Sequence, residues 1–511
     1  MSTLGGSAEI VLVQRALRYA DSPAIVDAGV TFSYAQLLDA SARVARGLLD
    51  AHSQSADLAG ERVCFMVAPS FDYVATQWGI FRAGGVAVPL CVSHPAPELA
   101  HVLDDARPCL VVADREHAAK LSQLCEARGV PLLDAGALRA AQPLAALPHV
   151  TRDRHAILIY TSGTTGKPKA AITTHAIFEA QLSSVVKAWE ISSSDRILHV
   201  LPLHHLHGVL NALGAPLYAG GCVEFMPRFD AQAVLDRFRQ APPLTLFMAV
   251  PTIYAKLVQH AETQLTAADR SDLRAKLERL RLMVSGSAAL PVSLLEQFEA
   301  LSGHLLLERY GMTELGMALG NPLRGERRAG SVGLPFPDVE ARIVDEAGQA
   351  LPDATQGELQ VRGPNVFAGY FGKPEATAQS FTADGFFRTG DVAIREGGYY
   401  RLLGRESVDI IKTGGFKVSA LEIEEVLREH PAIAEVAVIG LPDAEWGERV
   451  AAHVVLRGAA ALSLEDLRSF GKERLAPYKV PSRLRCEQAL PRNVMGKVHK
   501  PTLLASWSKP A

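Results

Sequence analysis

A chain of 511 residues is too long for one hydrophobic core and must divide into two or more domains. A hydrophobic share of 48% with 21% charged residues is ordinary for a soluble globular enzyme, and a net charge of -3 supplies neither a basic surface for nucleic acid nor a polybasic patch for membranes. Six cysteines (Cys64, Cys91, Cys109, Cys125, Cys222, Cys486) lie scattered with no C-x-x-C, which suits buried thiols in a reducing compartment better than a disulfide or zinc framework.

Residues 1–20 show no cationic start ahead of an apolar core, so no secretory signal is read there and a cytoplasmic protein is expected. Strand-like apolar runs at 62–67, 110–113, 196–201, 246–250 and 281–284 then alternate with helix-like segments such as 73–82 and 253–262. That alternation predicts an α/β fold of parallel sheets flanked by helices. The uncharged run 197–223 holds four histidines, two prolines and an asparagine, so no membrane insertion is expected of it. Gly/Pro clusters at 330–337 and 363–374 mark a smaller β-rich subdomain over about 330–403. After Gly404-Arg405 the pattern restarts with a strand at 408–411 and a helix from a Ser419/Glu422 capping box to His430. Strands at 436–439 and 453–456 and a helix at 464–475 follow. The predicted division is a large N-terminal domain, 1–403, and a small mobile α+β C-terminal domain, 404–511.

Residues 161–169 read Thr-Ser-Gly-Thr-Thr-Gly-Lys-Pro-Lys and follow the apolar run 156–160. Each residue type suits a polyphosphate. Gly163 and Gly166 let the backbone approach closely, successive N–H groups can form an anion nest, and hydroxyls and two lysines, Lys167 and Lys169, add donors and charge. It is not a Walker A loop, because two residues rather than four separate the glycines and Pro168 follows Lys167. Downstream, Tyr310-Gly311-Met312-Thr313-Glu314 places a hydroxyl beside a carboxylate, a pair able to hold a phosphate and its Mg²⁺. Small residues at Ser285-Gly286-Ser287-Ala288-Ala289 leave room for a flat ring at a strand's end. Asp391 and Arg405 offer an acceptor and a donor fork for sugar hydroxyls. His199, His204, His205 and His207 form the histidine cluster, with no Cys or carboxylate near them in sequence, which is weak evidence for a metal.

Together these segments closely resemble the motifs of the AMP-forming acyl-CoA synthetase, or adenylate-forming, family, in family order from Tyr160 to Lys497. One departure is Ala170, where that family usually has glycine. The resemblance implies that Thr161, Ser162, Gly163, Thr164, Thr165, Gly166, Lys167 and Lys169 cradle the phosphates of ATP, with Thr313 on a phosphate and Glu314 and Thr165 on Mg²⁺. Gly286, Ser287 and Ala288, within the 285–289 segment, would meet the adenine and part of the acyl group, Tyr310 and Gly311 would also bind the nucleotide, and Asp391 with Arg405 would form the ribose clamp. Lys497 would swing over the α-phosphate during adenylation. Lys412, Gly414, Gly415 and Lys417 would approach coenzyme A in the second half-reaction. The hinge is Ser407 or Val408, because the segment from Arg405 to Asp409 is one residue longer than the common form.

The implied reaction joins a carboxylic acid to coenzyme A through an acyl-adenylate, releasing AMP and pyrophosphate. Segments 201–213, 226–230, 247–254 and 307–314 resemble the malonyl-CoA synthetase branch, so a small dicarboxylate, malonate or methylmalonate, is the expected acid. Arg228 is the first candidate for its distal carboxylate and Arg309 the second, since fatty-acid members place glycine at the latter position. His205, Ser285 and Met312 complete the expected acyl pocket. The alternatives are a short-chain, medium-chain or aryl ligase, an enzyme loading a carrier protein, and a nucleotide-binding protein without catalysis.

Overall fold

The computed structural model describes residues 10–142, 147–161, 168–492 and 497–507. Arg62–Met66, Val86–Pro89, Leu110–Ala113 and His155–Thr161 run parallel in the middle of a seven-stranded sheet. They are apolar nearly end to end because helices cover both faces. A second sheet of nine strands carries Cys222–Phe225, Arg196–His199, Leu246–Ala249, Leu282–Ser285 and Leu307–Met312 as parallel neighbours in that order. One hydrophobic core joins the two sheets through helices such as Phe71–Arg82 and His175–Trp189, with Trp78, Phe81, Leu182 and Trp189 inside it. The expected α/β architecture is therefore present.

The stretch expected as one β-rich subdomain divides its strands among three sheets. Leu334–Pro335 extends the nine-stranded sheet and Gly369–Tyr370 extends the seven-stranded one. Only Glu340–Val344, Gly357–Arg362, Phe387–Glu396 and Tyr399–Arg405 form a separate antiparallel sheet. The physical reason is that edge strands of large sheets leave backbone donors and acceptors bare, and short flanking segments satisfy them.

Residues 406–409 form a turn, and a fourth sheet begins at Ile410–Thr413. It contains the hairpin Ile433–Asp443 and Gly447–Leu456, longer than the runs read from sequence, and packs its own core of Ile411, Ile423, Leu427, Val438 and Val454. Ser419 caps the helix Ala420–Arg428 by accepting from the Glu422 N–H at 3.1 Å. The expected reciprocal half of the capping box is absent, because the Glu422 carboxylate instead accepts from Lys479 at 2.6 Å. Among the described residues no helix is long and apolar enough to cross a membrane. The uncharged run 197–223 is cut into a strand, a loop, the π-helix His207–Gly214, the short helix Ala215–Ala219 and the start of another strand. Gly208 permits this doubling back, since a Cβ there would stand 2.2 Å from the Pro202 carbonyl oxygen.

Strand alternation in Leu307–Met312 sends Glu308 and Arg309 to opposite faces, so these adjacent charges do not pair. Glu308 is 5% exposed, with one oxygen accepting from the Leu290 N–H at 3.3 Å. Burial drives its pKa up to about 8. The folded chain therefore holds a proton that the unfolded chain releases near pH 4.5, and each pKa unit is worth about 1.4 kcal/mol. Stability from this group is intact below the unfolded value and is lost as pH rises toward 8. Glu308→Gln should melt near the wild-type temperature at pH 5 and several degrees above it at pH 9. A gap that stays constant across that range would contradict the assignment.

Candidate active site

The strand Phe387–Glu396 pairs antiparallel with Tyr399–Arg405 so that Asp391 stands opposite Arg405. Arg405 Nε donates to Asp391 Oδ1 at 3.0 Å, and Tyr310 Oη donates to Oδ2 at 2.5 Å. Asp391 is 8% exposed, and burial raises its pKa against the pull of Arg405 and Tyr310. Lys497 lies beside this clamp. Its own surface is open to the cleft, yet enough protein crowds it that desolvation lowers its pKa, with Asp391, Arg405 and Arg309 all acting on its charge.

The end expected to hold the phosphates is built from a different sheet. Thr161 and Lys169 close the strand pair that flanks the glycine loop, and Thr161 Oγ1 donates to the Lys169 carbonyl at 3.4 Å. Ser162, Gly163, Thr164, Thr165, Gly166 and Lys167 lie outside the described residues. Lys169 Nζ sits 5.0 Å over the ring of Tyr370, whose hydroxyl donates to Glu314 Oε1 at 2.9 Å. Glu314 is 5% exposed and its pKa is raised by burial. A buried carboxylate with no basic side chain hydrogen-bonded to it among the described residues is the oxygen donor that Mg²⁺ favours, so the residues present fit the ion. Thr313 and Glu314 occupy the tight turn between Leu307–Met312 and Gly316–Gly320. Gly311 is required there, because a Cβ would meet the Gly316 carbonyl at 2.2 Å.

Arg309 defines the third corner. It is 4% exposed and lies across Gly286, where a Cβ would stand 2.5 Å from its guanidinium carbon. Its Nη2 donates to Ser287 Oγ at 3.3 Å, while its Nε has no partner among the described residues. Ser287 adopts φ +69, a left-handed backbone that a non-glycine residue rarely takes, and its hydroxyl also meets His207 Nδ1 at 3.2 Å. No carboxylate pairs with Arg309 among the described residues, and burial alone lowers its pKa to about 9. Ser285 Oγ, Asn211 Oδ1, His207 Nε2 and His205 Nε2 are likewise buried without hydrogen-bond partners among the described residues, and His207 feels the Arg309 charge. Burial keeps these imidazoles neutral; His205 falls to about 4, with Lys497 adding to the effect. Met312 is half-buried with its sulfur 3.7 Å from the Tyr310 hydroxyl, and Ala288 is exposed.

Two expectations need correction or completion. Arg228, the first candidate for the distal anchor, is not brought to this corner. Its side chain is 91% exposed and faces Glu116 at 3.5 Å, because the chain leaves Cys222–Phe225 across the molecular surface. Tyr370 carries no signal in the sequence, since nothing there ties a Gly-Tyr pair to Glu314 more than fifty residues away. Lys412, Gly414, Gly415 and Lys417 form an exposed hairpin whose Lys417 pairs with Glu346 at 2.6 Å.

This layout agrees with comparison to known proteins. A model described as AMP-binding enzyme matches residues 12–371, and one described as AMP-binding enzyme C-terminal domain matches 422–497. The chain is 46% identical to the mitochondrial malonate–CoA ligase ACSF3 of Mus musculus, covering 96% of this chain and 89% of that one. ATP-bound MatB from Rhodopseudomonas palustris is 35% identical with a TM-score of 0.89, covering 98% of this chain and 99% of that one. A malonyl-CoA ligase in a ternary product complex with methylmalonyl-CoA and AMP is 37% identical, over 93% and 97% of the two chains, with a TM-score of 0.68. With a family match over most of its length and these sites assembled in one cleft, the chain belongs to the AMP-binding enzyme family.

Proposed function

We propose that this chain is an ATP-dependent acid–CoA ligase acting on malonate, with methylmalonate as a second substrate. The observation that carries the choice of acid is Arg309, a buried guanidinium with no counterion among the described residues. An unpaired buried charge is costly, and a carboxylate in bidentate contact relieves it. A distal carboxylate does so; an alkyl chain or a plain aromatic ring would leave the charge bare. The dicarboxylates handled by the related ligases support the same reading.

In the first step a malonate oxygen attacks the α-phosphorus of ATP, and the bond to pyrophosphate breaks to give malonyl-AMP. Asp391 and Arg405 hold the ribose, Lys169 and the 162–167 loop hold the phosphates, and Arg309 holds the far carboxylate. Lys497 neutralises charge that builds on the reacting oxygens, the kind of preorganised cation that contributes about 10²–10³ in rate. Glu314, with Thr165, would hold Mg²⁺, whose charge offsets that of the triphosphate. The C-terminal domain then rotates about residues 406–409 and presents the Lys412–Lys417 hairpin. The thiol of coenzyme A displaces AMP and becomes the thioester. Supporting that rotation, the two solved relatives are about equally similar in sequence, yet the ATP-bound one superposes far better than the product complex. The cytoplasmic location stays part of this proposal; the mouse relative is a mitochondrial enzyme.

Arg309→Gln should lower kcat/KM for malonate at least a hundredfold, about 2.8 kcal/mol, in a coupled AMP-release assay. Propionate, lacking the second carboxylate, should lose nothing or gain. Parallel losses for both acids would remove Arg309 from this role.

Lys497→Ala should abolish ATP–pyrophosphate exchange with malonate while still converting supplied malonyl-AMP and coenzyme A to thioester. If both half-reactions fall together, one lysine serving only the first step is the wrong account.

A further inference from the structure

Away from the adenylate clamp, the loop leaving Val86–Pro89 meets the loop that follows Arg196–His199. There the Cys91 sulfur and one ring nitrogen each from His94 and His204 lie within 4.8 Å of one another. The sequence hides this group, because no cysteine is near the histidine cluster along the chain and more than a hundred residues separate its two halves.

We propose that Cys91, His94 and His204 form a binding site for a borderline-soft divalent cation of the Zn²⁺ class. The donor set is one thiolate and two imidazoles, the mixture that Zn²⁺ selects over oxygen-only cages. Tetrahedral Zn²⁺ holds sulfur at about 2.3 Å and nitrogen at about 2.0 Å, which puts ligand atoms roughly 3.3–3.8 Å apart. The observed spacing closes to that with about 1 Å of side-chain adjustment.

Three further features fit a ligand rather than simple packing. His204 Nε2 is buried with no hydrogen-bond partner among the described residues, a neutral imidazole lone pair or N–H left unused. His94 hydrogen-bonds Cys91 and has Glu98 Oε2 3.3 Å from its Nε2, the outer carboxylate that metal-bound imidazoles regularly have. Ser93 Oγ lies 3.1 Å from the Cys91 sulfur, able to donate to a thiolate. Three protein ligands leave a fourth position for water, as in open zinc sites. The site would also couple to the cleft. The His204 ring packs 3.9 Å from that of His205, which faces Lys497, so a bound cation would fasten the His205 loop to the Val86–Pro89 loop.

The test uses the full-length protein stripped with a chelator and titrated with Co²⁺ under reducing conditions. A thiolate-to-cobalt charge-transfer band saturating at one equivalent and bleached by Zn²⁺ is the expected result. Cys91→Ser should lose the band, and both Cys91→Ser and His204→Ala should weaken Zn²⁺ binding at least a hundredfold by competition. Both should keep the wild-type melting temperature in the metal-free state. Cys222→Ser, at a buried thiol elsewhere, should bind as wild type does. No charge-transfer band in the wild type, or a band that survives Cys91→Ser, overturns the site. If Cys91→Ser does not fold, retention of full affinity in His204→Ala overturns it instead.

Discussion

The carboxylate of Asp391 is the joint on which the cleft depends. It belongs to the four-stranded sheet, yet Tyr310 reaches it from the nine-stranded sheet and Arg405 from the strand that leads into the C-terminal domain. A buried charge is tolerated only with hydrogen bonds on both oxygens, and here each oxygen has a donor from a different strand. That requirement fixes where three segments far apart in sequence meet. It also places the Asp391 carboxylate beside the last residue before the turn at 406–409, so under the proposed reaction the nucleotide and the C-terminal domain would share one anchor.

One cation of the cleft stands out as unbalanced. Asp391 and Arg405 satisfy one another, and Lys497 feels Asp391 and Asp409 as well as two guanidiniums, whereas Arg309 is buried without a carboxylate among the described residues. A buried guanidinium without a counterion is costly, and the carboxylate of the proposed acid would relieve that cost on binding. The neutral histidines near these cations suit the same purpose. Charged imidazoles would add repulsion, and burial removes that charge for His199, His205 and His207.

What was legible in the sequence is what is local. Apolar runs gave the strands, because a strand buried on both faces needs little beyond its own composition. The glycine loop and the Tyr310–Glu314 turn can each be recognised because their chemistry sits within a few residues, and the Asp391–Arg405 pair because one antiparallel pairing of neighbouring strands joins it. Arg228 and Arg309 both read as arginines near apolar segments, and only the third dimension tells a surface ion pair from a buried charge without a counterion among the described residues. Tyr370 and Cys91 were out of reach for a related cause. Each acquires its partner only in three dimensions, Tyr370 by adding to the sheet edge beside Lys169–Thr174, and Cys91 where a loop of the seven-stranded sheet meets a loop of the nine-stranded one.

The turn at 406–409 shows how the two open hinge positions can be narrowed to one pivot region. Asp409 is bound into the C-terminal domain, where Lys500 donates to its Oδ1 at 2.6 Å and to Glu424 at 2.8 Å. Arg405 is bound on the other side, by Asp391. Gly404 must lack a side chain, since a Cβ there would lie 2.4 Å from the Asp409 Cβ. If the domain rotates as proposed, carrying Asp409 and leaving Arg405 behind, the dihedrals of Glu406, Ser407 and Val408 lie in the path of the change, and the Arg405 N–H bond to Asp409 Oδ2 at 3.1 Å spans it. Polar ties that cross this line include Lys417 to Glu346, Ser419 Oγ to the Leu403 carbonyl, and the Val292 N–H to Glu425. Each contributes about 0.5–1.5 kcal/mol at most. An interface held by such bonds, with the domain cores packed separately on either side, is of the size that the proposed change of ligands could outweigh.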